Sequence, residues 1–260
     1  MSDAFPADDR ALAYGDGLFE TILVVRGRPI WLMAHMDRFR RSARELGFPE
    51  VDALMRRGAR GARDLIHSAR PERAALRITW TRGPGLGGFA PPEKPRPRVI
   101  ARLAPAAAPP KSMSAVFLDD LYGGSTARHK SCSALLYVEA ARRAREAGVD
   151  EALIADGEGG IAEASAHNLF AVIDDTLVTP PARLPLLPGV TRAWAIKQGK
   201  AVQRPITQTD LARASEAFLT NSIRGVVPLV EVDGQGIPAG PVTRKLVAAF
   251  KAATTKSARA

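Results

Sequence analysis

Cysteine is almost absent from this chain: Cys132 stands alone in 260 residues. That excludes an intramolecular disulfide and a cysteine-based zinc site, and it is what a reducing cytoplasm would favour. Histidine is scarce too, and the four present show no metal-ligand spacing, so no metal is expected. No run of about 18 apolar residues occurs, so no membrane span is expected. The opening MSDAFPADDR is acidic and lacks the hydrophobic stretch of a signal peptide, which again points to the cytoplasm. Acidic residues are outnumbered, 27 against 37 basic ones, for a net charge of +10. Yet no basic stripe with interleaved aromatics appears, and arginines are scattered over helical faces, as in RRGARGARDLIHSARPER (56–73). A solvated, arginine-rich surface is therefore expected, with no nucleic-acid partner, although such a surface also attracts anionic small substrates.

Hydrophobic residues make up 46% of the chain, enough to build one large domain or two modest ones. ETILVVRGRPIWL (20–32) reads as a hairpin, with Gly27 supplying the turn. In 33–48, Met33, Met36, Phe39, Ala43 and Leu46 recur at helical spacing, and Gly47 is a stop signal. A second helix is expected over 50–69, then strands at 74–82 and 97–105, an α+β pattern. APAAAPPK (104–111) has no periodicity and reads as a linker. The expected domains are 1–106 and 114–260, joined by 107–113. Beyond the linker we expect a strand at 114–120, a helix at 132–148, and strands at 151–155 and 168–174 flanking the turn DGEGG (156–160). A loop runs into a helix at 186–199, a strand at 216–230 ends in a loop, a last helix covers 242–253, and the tail 251–260 is expected to fray.

Two charges sit in unusual company. Lys130 directly precedes an apolar helix-like run. Glu163 lies among Ala162, Ala164, Ser165 and Ala166, ahead of Leu169-Phe170. An ordinary lysine is a poor nucleophile until desolvation or a nearby cation favours its neutral form. A buried carboxylate is costly unless it has a partner, such as a cationic ring nitrogen. Pyridoxal phosphate uses one of each, and it also needs a phosphate cup built from helix N-terminal amides, hydroxyls and an arginine. Candidates exist: the amides of Val190 and Thr191 after Pro188-Gly189, the hydroxyls of Thr220-Asn221-Ser222, and Arg38. Each has a plainer reading alone, as a helix cap, a turn or a solvated charge. Their combination carries the case.

That combination resembles the class IV, or fold type IV, pyridoxal-phosphate enzymes, which include branched-chain and D-amino-acid aminotransferases and aminodeoxychorismate lyases. The resemblance runs from YGDGLFET (14–21) to Val226-Val227-Pro228. It implies that Lys130, after His129, carries the cofactor and is the catalytic base. It implies that Arg38, in HMDRFRRSA (35–43), binds the phosphate together with Val190, Thr191 and Ser222. Glu163, in EASAHNLF (163–170), would face the pyridine nitrogen. It further implies two α/β domains with the cofactor in the cleft between them, and a homodimer. YGDGLFET, RHKS (128–131) and FLTNSIRGVVPL (218–229) look most like the lyase branch, which converts 4-amino-4-deoxychorismate to 4-aminobenzoate and pyruvate in folate synthesis. An aminotransferase is the alternative. Phe19, Arg82 and Arg128 are then candidate substrate-binding residues. Two features depart from the lyase pattern. Gly87-Gly88 stand where an arginine-glycine pair is expected, and no asparagine follows Lys130.

Overall fold

The computed structural model describes residues 6–258. The chain divides into two compact units. The first holds residues up to Ala107 together with His129–Ala134; the second holds Ala108–Arg128 and Leu135 onward. The sequence reading placed everything from 114 in one C-terminal domain, whereas His129–Ala134 group with the first unit.

In the first unit, α1 (Arg10–Tyr14) leads into β1 (Gly17–Val25), β2 (Arg28–Pro29), α2 (Leu32–Glu45), α3 (Val51–Ala69), β3 (Arg73–Thr81) and β4 (Arg98–Pro105). The four strands form one antiparallel sheet in the order β2-β1-β3-β4. The hairpin at Arg26-Gly27 forms as expected, with both residues at positive φ. Alternation along β1 and β3 splits the sheet into two faces. Leu18, Ile22, Leu76, Ile78 and Trp80 pack with Phe39 and Leu54 of the helices into the core. Each such buried side chain stabilises by roughly 1.5–3 kcal/mol. Trp80 stacks on Phe39 with centroids 3.9 Å apart, and its indole donates to the Leu54 carbonyl. Phe19, Thr21, Arg77 and Thr79 point to the other face, which the two helices do not cover.

The second unit contains β5 (Met113–Tyr122), α4 (Leu135–Glu146), β6 (Glu151–Ala155), β7 (Ile161–Ala164), β8 (Asn168–Ile173) and β9 (Thr176–Thr179). After these come α5 (Val190–Gly199), β10 (Val202–Gln203), α6 (Gln208–Ala212), β11 (Glu216–Asn221), β12 (Gly225–Val232), β13 (Gln235–Gly236) and α7 (Pro241–Ser257). Its sheet runs β10-β9-β8-β11-β12-β5-β6-β7, with β13 paired to β12. Every residue of β6 and β8 is buried, as their unbroken apolar runs require.

Four expectations need correction. The turn 156–160 joins β6 to β7, which pair antiparallel, and not to the strand at 168–173. The helix expected from 132 begins at Leu135, because the preceding segment is spent on pairing with β1: the Cys132 N–H donates to the Gly17 carbonyl. Residues 216–230 form a hairpin, β11 against β12, turning at Ser222–Arg224. The tail does not fray through 257, because α7 continues to Ser257, with Phe250 and Thr254 buried beneath it. Residues 259–260 lie outside the described residues.

Candidate active site

The segment carrying Lys130 is fixed from three sides within the first unit. The Phe19 N–H donates to the Lys130 carbonyl at 2.9 Å, and Ser131 bridges to Leu18. His129 Nδ1 lies 3.1 Å from Ser42 Oγ on α2. The approach is so close that side chains are barred opposite it. A Cβ on Gly15, which sits at φ +67°, would fall 2.3 Å from Ser133 Oγ, and one on Gly17 would fall 3.0 Å from Cys132 Sγ. The YGDG stretch owes its glycines to this contact. The Lys130 amine itself lies 4.5 Å from the centre of the Phe19 ring.

Behind β1, Glu20, His35 and Arg38 form a buried ionic cluster. The Glu20 carboxylate accepts from Arg38 Nε at 2.8 Å, from Arg38 Nη2 at 2.5 Å and from His35 Nδ1 at 2.7 Å. Burial pushes the Glu20 carboxyl up, but the Arg38 charge, with the Arg38 and His35 hydrogen bonds, outweighs it and brings the group to about 2. Burial pushes His35 down, with Arg38 and Lys130 adding to the effect against the opposing pull of Glu20. Arg38 thus has two of its three nitrogens on Glu20 and is itself buried.

Arg82, expected at the substrate, is a strut. Its Nε donates to Asp16 at 2.9 Å, its Nη1 to the Gly47 carbonyl and its Nη2 to the Leu46 carbonyl, and it is buried. All three nitrogens are occupied, so the expectation of a substrate contact is corrected. Arg10 shares Asp16 and holds the 85–89 loop through three carbonyls.

In the second unit, Glu163 on β7 is buried and held at both oxygens. Oε1 accepts from the Tyr137 hydroxyl at 2.9 Å; Oε2 accepts from Asn168 Nδ2 at 3.2 Å and from the Leu187 N–H at 3.0 Å. Burial, reinforced by the Glu163 charge and hydrogen bond, pushes the Tyr137 phenol far up, so it stays a donor. Asn168 also donates to the Leu187 carbonyl and so ties the loop before α5 to Glu163. A Cβ on Gly189 would fall 2.2 Å from Asn168 Oδ1, which explains the glycine there.

That loop feeds α5, whose first residues are Val190 and Thr191. No side chain caps this helix, so its leading N–H groups are offered outward. The hydroxyls of Thr191 on α5 and Thr220 on β11 are buried and have no hydrogen-bond partner, and Arg192 Nε is likewise unpartnered. The α5 helix packs against β11. Burial brings the Arg192 guanidinium down to about 10, with the Glu163 charge opposing. Orphaned donors beside an uncapped helix start fit a phosphate, and a fixed buried carboxylate fits a protonated ring nitrogen.

Ser222 lies in the β11–β12 turn, where Asn221 organises the backbone by accepting from the Ile223 and Arg224 N–H groups. Arg128 is exposed at the end of a 3-10 turn and donates to the Ser125 carbonyl. Glu151 accepts from Ser165 and His167, and Asn221 bonds the other His167 nitrogen, which pins the 165–167 turn after Glu163. Tyr137 and Asn168 are functional candidates that the sequence did not single out, whereas Thr220 was among the hydroxyls expected for a phosphate cup. Asn168, five residues after Glu163, was the signal available.

A fixed carboxylate beside an uncapped helix start is an arrangement that suits a protonated ring nitrogen and an anion. Residues 17–232 match the amino-transferase class IV family, and the chain belongs to it. The enzymes of this family use pyridoxal phosphate. The chain is similar to the crystal structure of 4-amino-4-deoxychorismate lyase from Pseudomonas aeruginosa: 31% identity, TM-score 0.86, 97% of this chain and 96% of that one covered. It is also similar to branched-chain amino acid aminotransferase from Escherichia coli, at 26% identity and TM-score 0.87, covering 98% and 90%. Among curated proteins, the bifunctional aminodeoxychorismate lyase / D-amino acid transaminase of Mycobacterium tuberculosis is 27% identical, covering 91% of this chain and 88% of its own length.

Proposed function

We propose that the protein is a pyridoxal-phosphate lyase that splits 4-amino-4-deoxychorismate into 4-aminobenzoate and pyruvate. The observation that carries the cofactor half of this reading is the Glu163 cluster, a buried carboxylate fixed through both oxygens next to orphaned hydroxyls. The lyase half is supported by the likeness to the Pseudomonas aeruginosa lyase, 31% identical with 97% of this chain and 96% of that one covered.

When bound, the cofactor supplies an electron sink next to the substrate amine. Lys130 would hold it, and its amine, when free, would take a proton from the substrate ring. Phe19 beneath the Lys130 amine steadies it when charged. Glu163 keeps the ring nitrogen protonated, and Tyr137 and Asn168 hold Glu163 in place. Thr191, Thr220, Ser222 and the Val190 amide receive the phosphate, with Arg38 as a further cation. Loss of the enol ether side chain as pyruvate leaves an aromatic ring, which drives the step. The enzyme is proposed to act in the cytoplasm as a homodimer.

An aminotransferase is the second reading, favoured by the similarity to the Escherichia coli enzyme. The same lysine would then move a proton between the amine-bearing carbon and the cofactor. Pyruvate release from 4-amino-4-deoxychorismate separates the two. The lyase reading expects turnover without any added keto acid. A strict need for a keto-acid acceptor would overturn it.

A further inference from the structure

The turn after β11 is tied to a second polar cluster, drawn from β6, the 165–167 turn and the end of β11. Glu151 and His167 are both buried. Glu151 accepts from Ser165 Oγ, from His167 Nδ1 and from the Ala152 N–H at 3.1 Å. The other ring nitrogen of His167, Nε2, lies 2.8 Å from Asn221 Nδ2. Asn221 has every polar site filled. Its Nδ2 also donates to the Ala166 carbonyl at 3.2 Å. Its Oδ1 accepts from the Ile223 N–H at 3.0 Å and from the Arg224 N–H at 2.7 Å.

These contacts leave His167 one arrangement of its proton. Two backbone donors face Asn221 Oδ1, so turning the amide end for end would set N–H against N–H. Asn221 therefore presents a donor to His167 Nε2, which must be a bare acceptor. The imidazole proton then sits on Nδ1, facing Glu151. Glu151 requires the same. Burial pushes its carboxyl up, but the hydrogen bonds from His167 and Ser165 outweigh that and hold it below the ordinary 4.5. It stays ionised and can only accept. The hydrogen bond at one imidazole nitrogen sets the proton on the other, and here both ends demand the same tautomer.

The segment so fixed belongs to the candidate site. Asn221 stands between Thr220, whose buried hydroxyl has no partner, and Ser222, the neighbouring hydroxyl proposed for the phosphate. His167 directly precedes Asn168, which holds Glu163 and the Leu187 carbonyl. We propose that His167 is a positioning residue for the anion end of the site: with its proton on Nδ1 and facing Glu151, it fixes the Asn221 amide, and through it the Thr220–Ser222 segment that receives the cofactor phosphate. This deepens the cofactor reading and rests on Thr220 and Ser222 being the hydroxyls of the phosphate cup. His167 acts through Asn221 and donates nothing to the phosphate itself.

The test has two parts. Nitrogen NMR of the histidine rings at mildly alkaline pH reads the tautomer in the unsubstituted protein. The chain has only four histidines, so the signal missing from H167Q identifies His167. A protonated Nδ1 with a bare Nε2 is expected; the reverse tautomer, or exchange between the two, would overturn the proposal. In the second part, pyridoxal phosphate and pyridoxal, which lacks the phosphate, are titrated by absorbance into the unsubstituted protein, H167F and H167Q. H167F removes both polar contacts, whereas the amide of H167Q restores a donor and an acceptor. H167F should bind pyridoxal phosphate roughly tenfold more weakly, as for one lost hydrogen bond, and pyridoxal as before. H167Q should recover part of that loss. Unchanged affinity for pyridoxal phosphate in H167F, equal loss of both ligands, or no recovery in H167Q would each sink the assignment. If H167F does not fold, the tautomer and the H167Q titration decide it. No absorbance band in the unsubstituted protein would instead sink the cofactor reading. Calorimetric binding of inorganic phosphate to the same proteins would then decide the anion turn on its own.

Discussion

At the scale of single residues, the most informative atoms are hydroxyls with nothing to bond. A buried, unsatisfied polar group costs about 1–3 kcal/mol, so folded proteins rarely keep one without a reason. Thr191 and Thr220 each keep one, on two adjacent elements. If a phosphate is the reason, replacing Thr191 by its isostere should act in opposite directions on two measurements. In T191V the melting temperature of the cofactor-free protein should hold or rise, because the orphaned group is gone. The dissociation constant for pyridoxal phosphate, from titration of its absorbance, should rise roughly tenfold for the hydrogen bond lost. A drop in melting temperature with unchanged affinity would mean that Thr191 merely packs. Lys130 and Glu163 were legible in the sequence because each charge sits among small or apolar neighbours. Tyr137 and Asn168 were not. A tyrosine on an apolar helix stripe and an asparagine at a strand start look structural until folding places both on one carboxylate. Arg82 misled for the converse reason, since its acceptors are carbonyls 35 and 36 residues away.

At the scale of elements, β1 and α2 are joined by the Glu20–His35–Arg38 cluster as well as by apolar packing. The cluster has a pH signature. Glu20 is held at about 2 against an ordinary 4.5. A carboxyl depressed in the folded state stabilises fully above its unfolded value and loses that contribution as pH falls toward the folded one. The gap is worth about 3 kcal/mol, lost between about pH 4.5 and 2. His35, also depressed, adds a loss of the same sign below its ordinary 6.5. E20Q should therefore be less stable than the parent by about 3 kcal/mol at pH 7 in urea unfolding, with the difference narrowing at pH 3.5. A difference that stays constant across that range would show that the pair contributes through packing alone. Most elements were legible from period and turn residues. The exceptions share a cause: segments whose partners are distant in sequence. Cys132–Ala134 reads as the start of a helix by composition, yet the backbone groups of Lys130–Cys132 are taken by β1. Local propensity cannot report a competitor more than a hundred residues upstream.

At the scale of the whole molecule, the chain builds two compact units, and the second crossing point, at 129–134, returns the lysine-bearing segment to the first. A linear reading cannot find such a return, because nothing in RHKSCSA marks it as a strand partner of GLF. Family membership and the cofactor of that family are secure on residues 17–232. Lyase and aminotransferase would share Lys130 and Glu163, so the discriminating chemistry lies with the substrate's own groups. The central claim beneath both readings is that Lys130 is the amine to which the cofactor is bonded. Absorbance spectra of the purified protein and of K130A, each loaded with pyridoxal phosphate and freed of excess, test it most directly. The account predicts a band near about 410–430 nm in the parent and none in the variant. The same band persisting in K130A would assign the bond to another lysine and contradict the account.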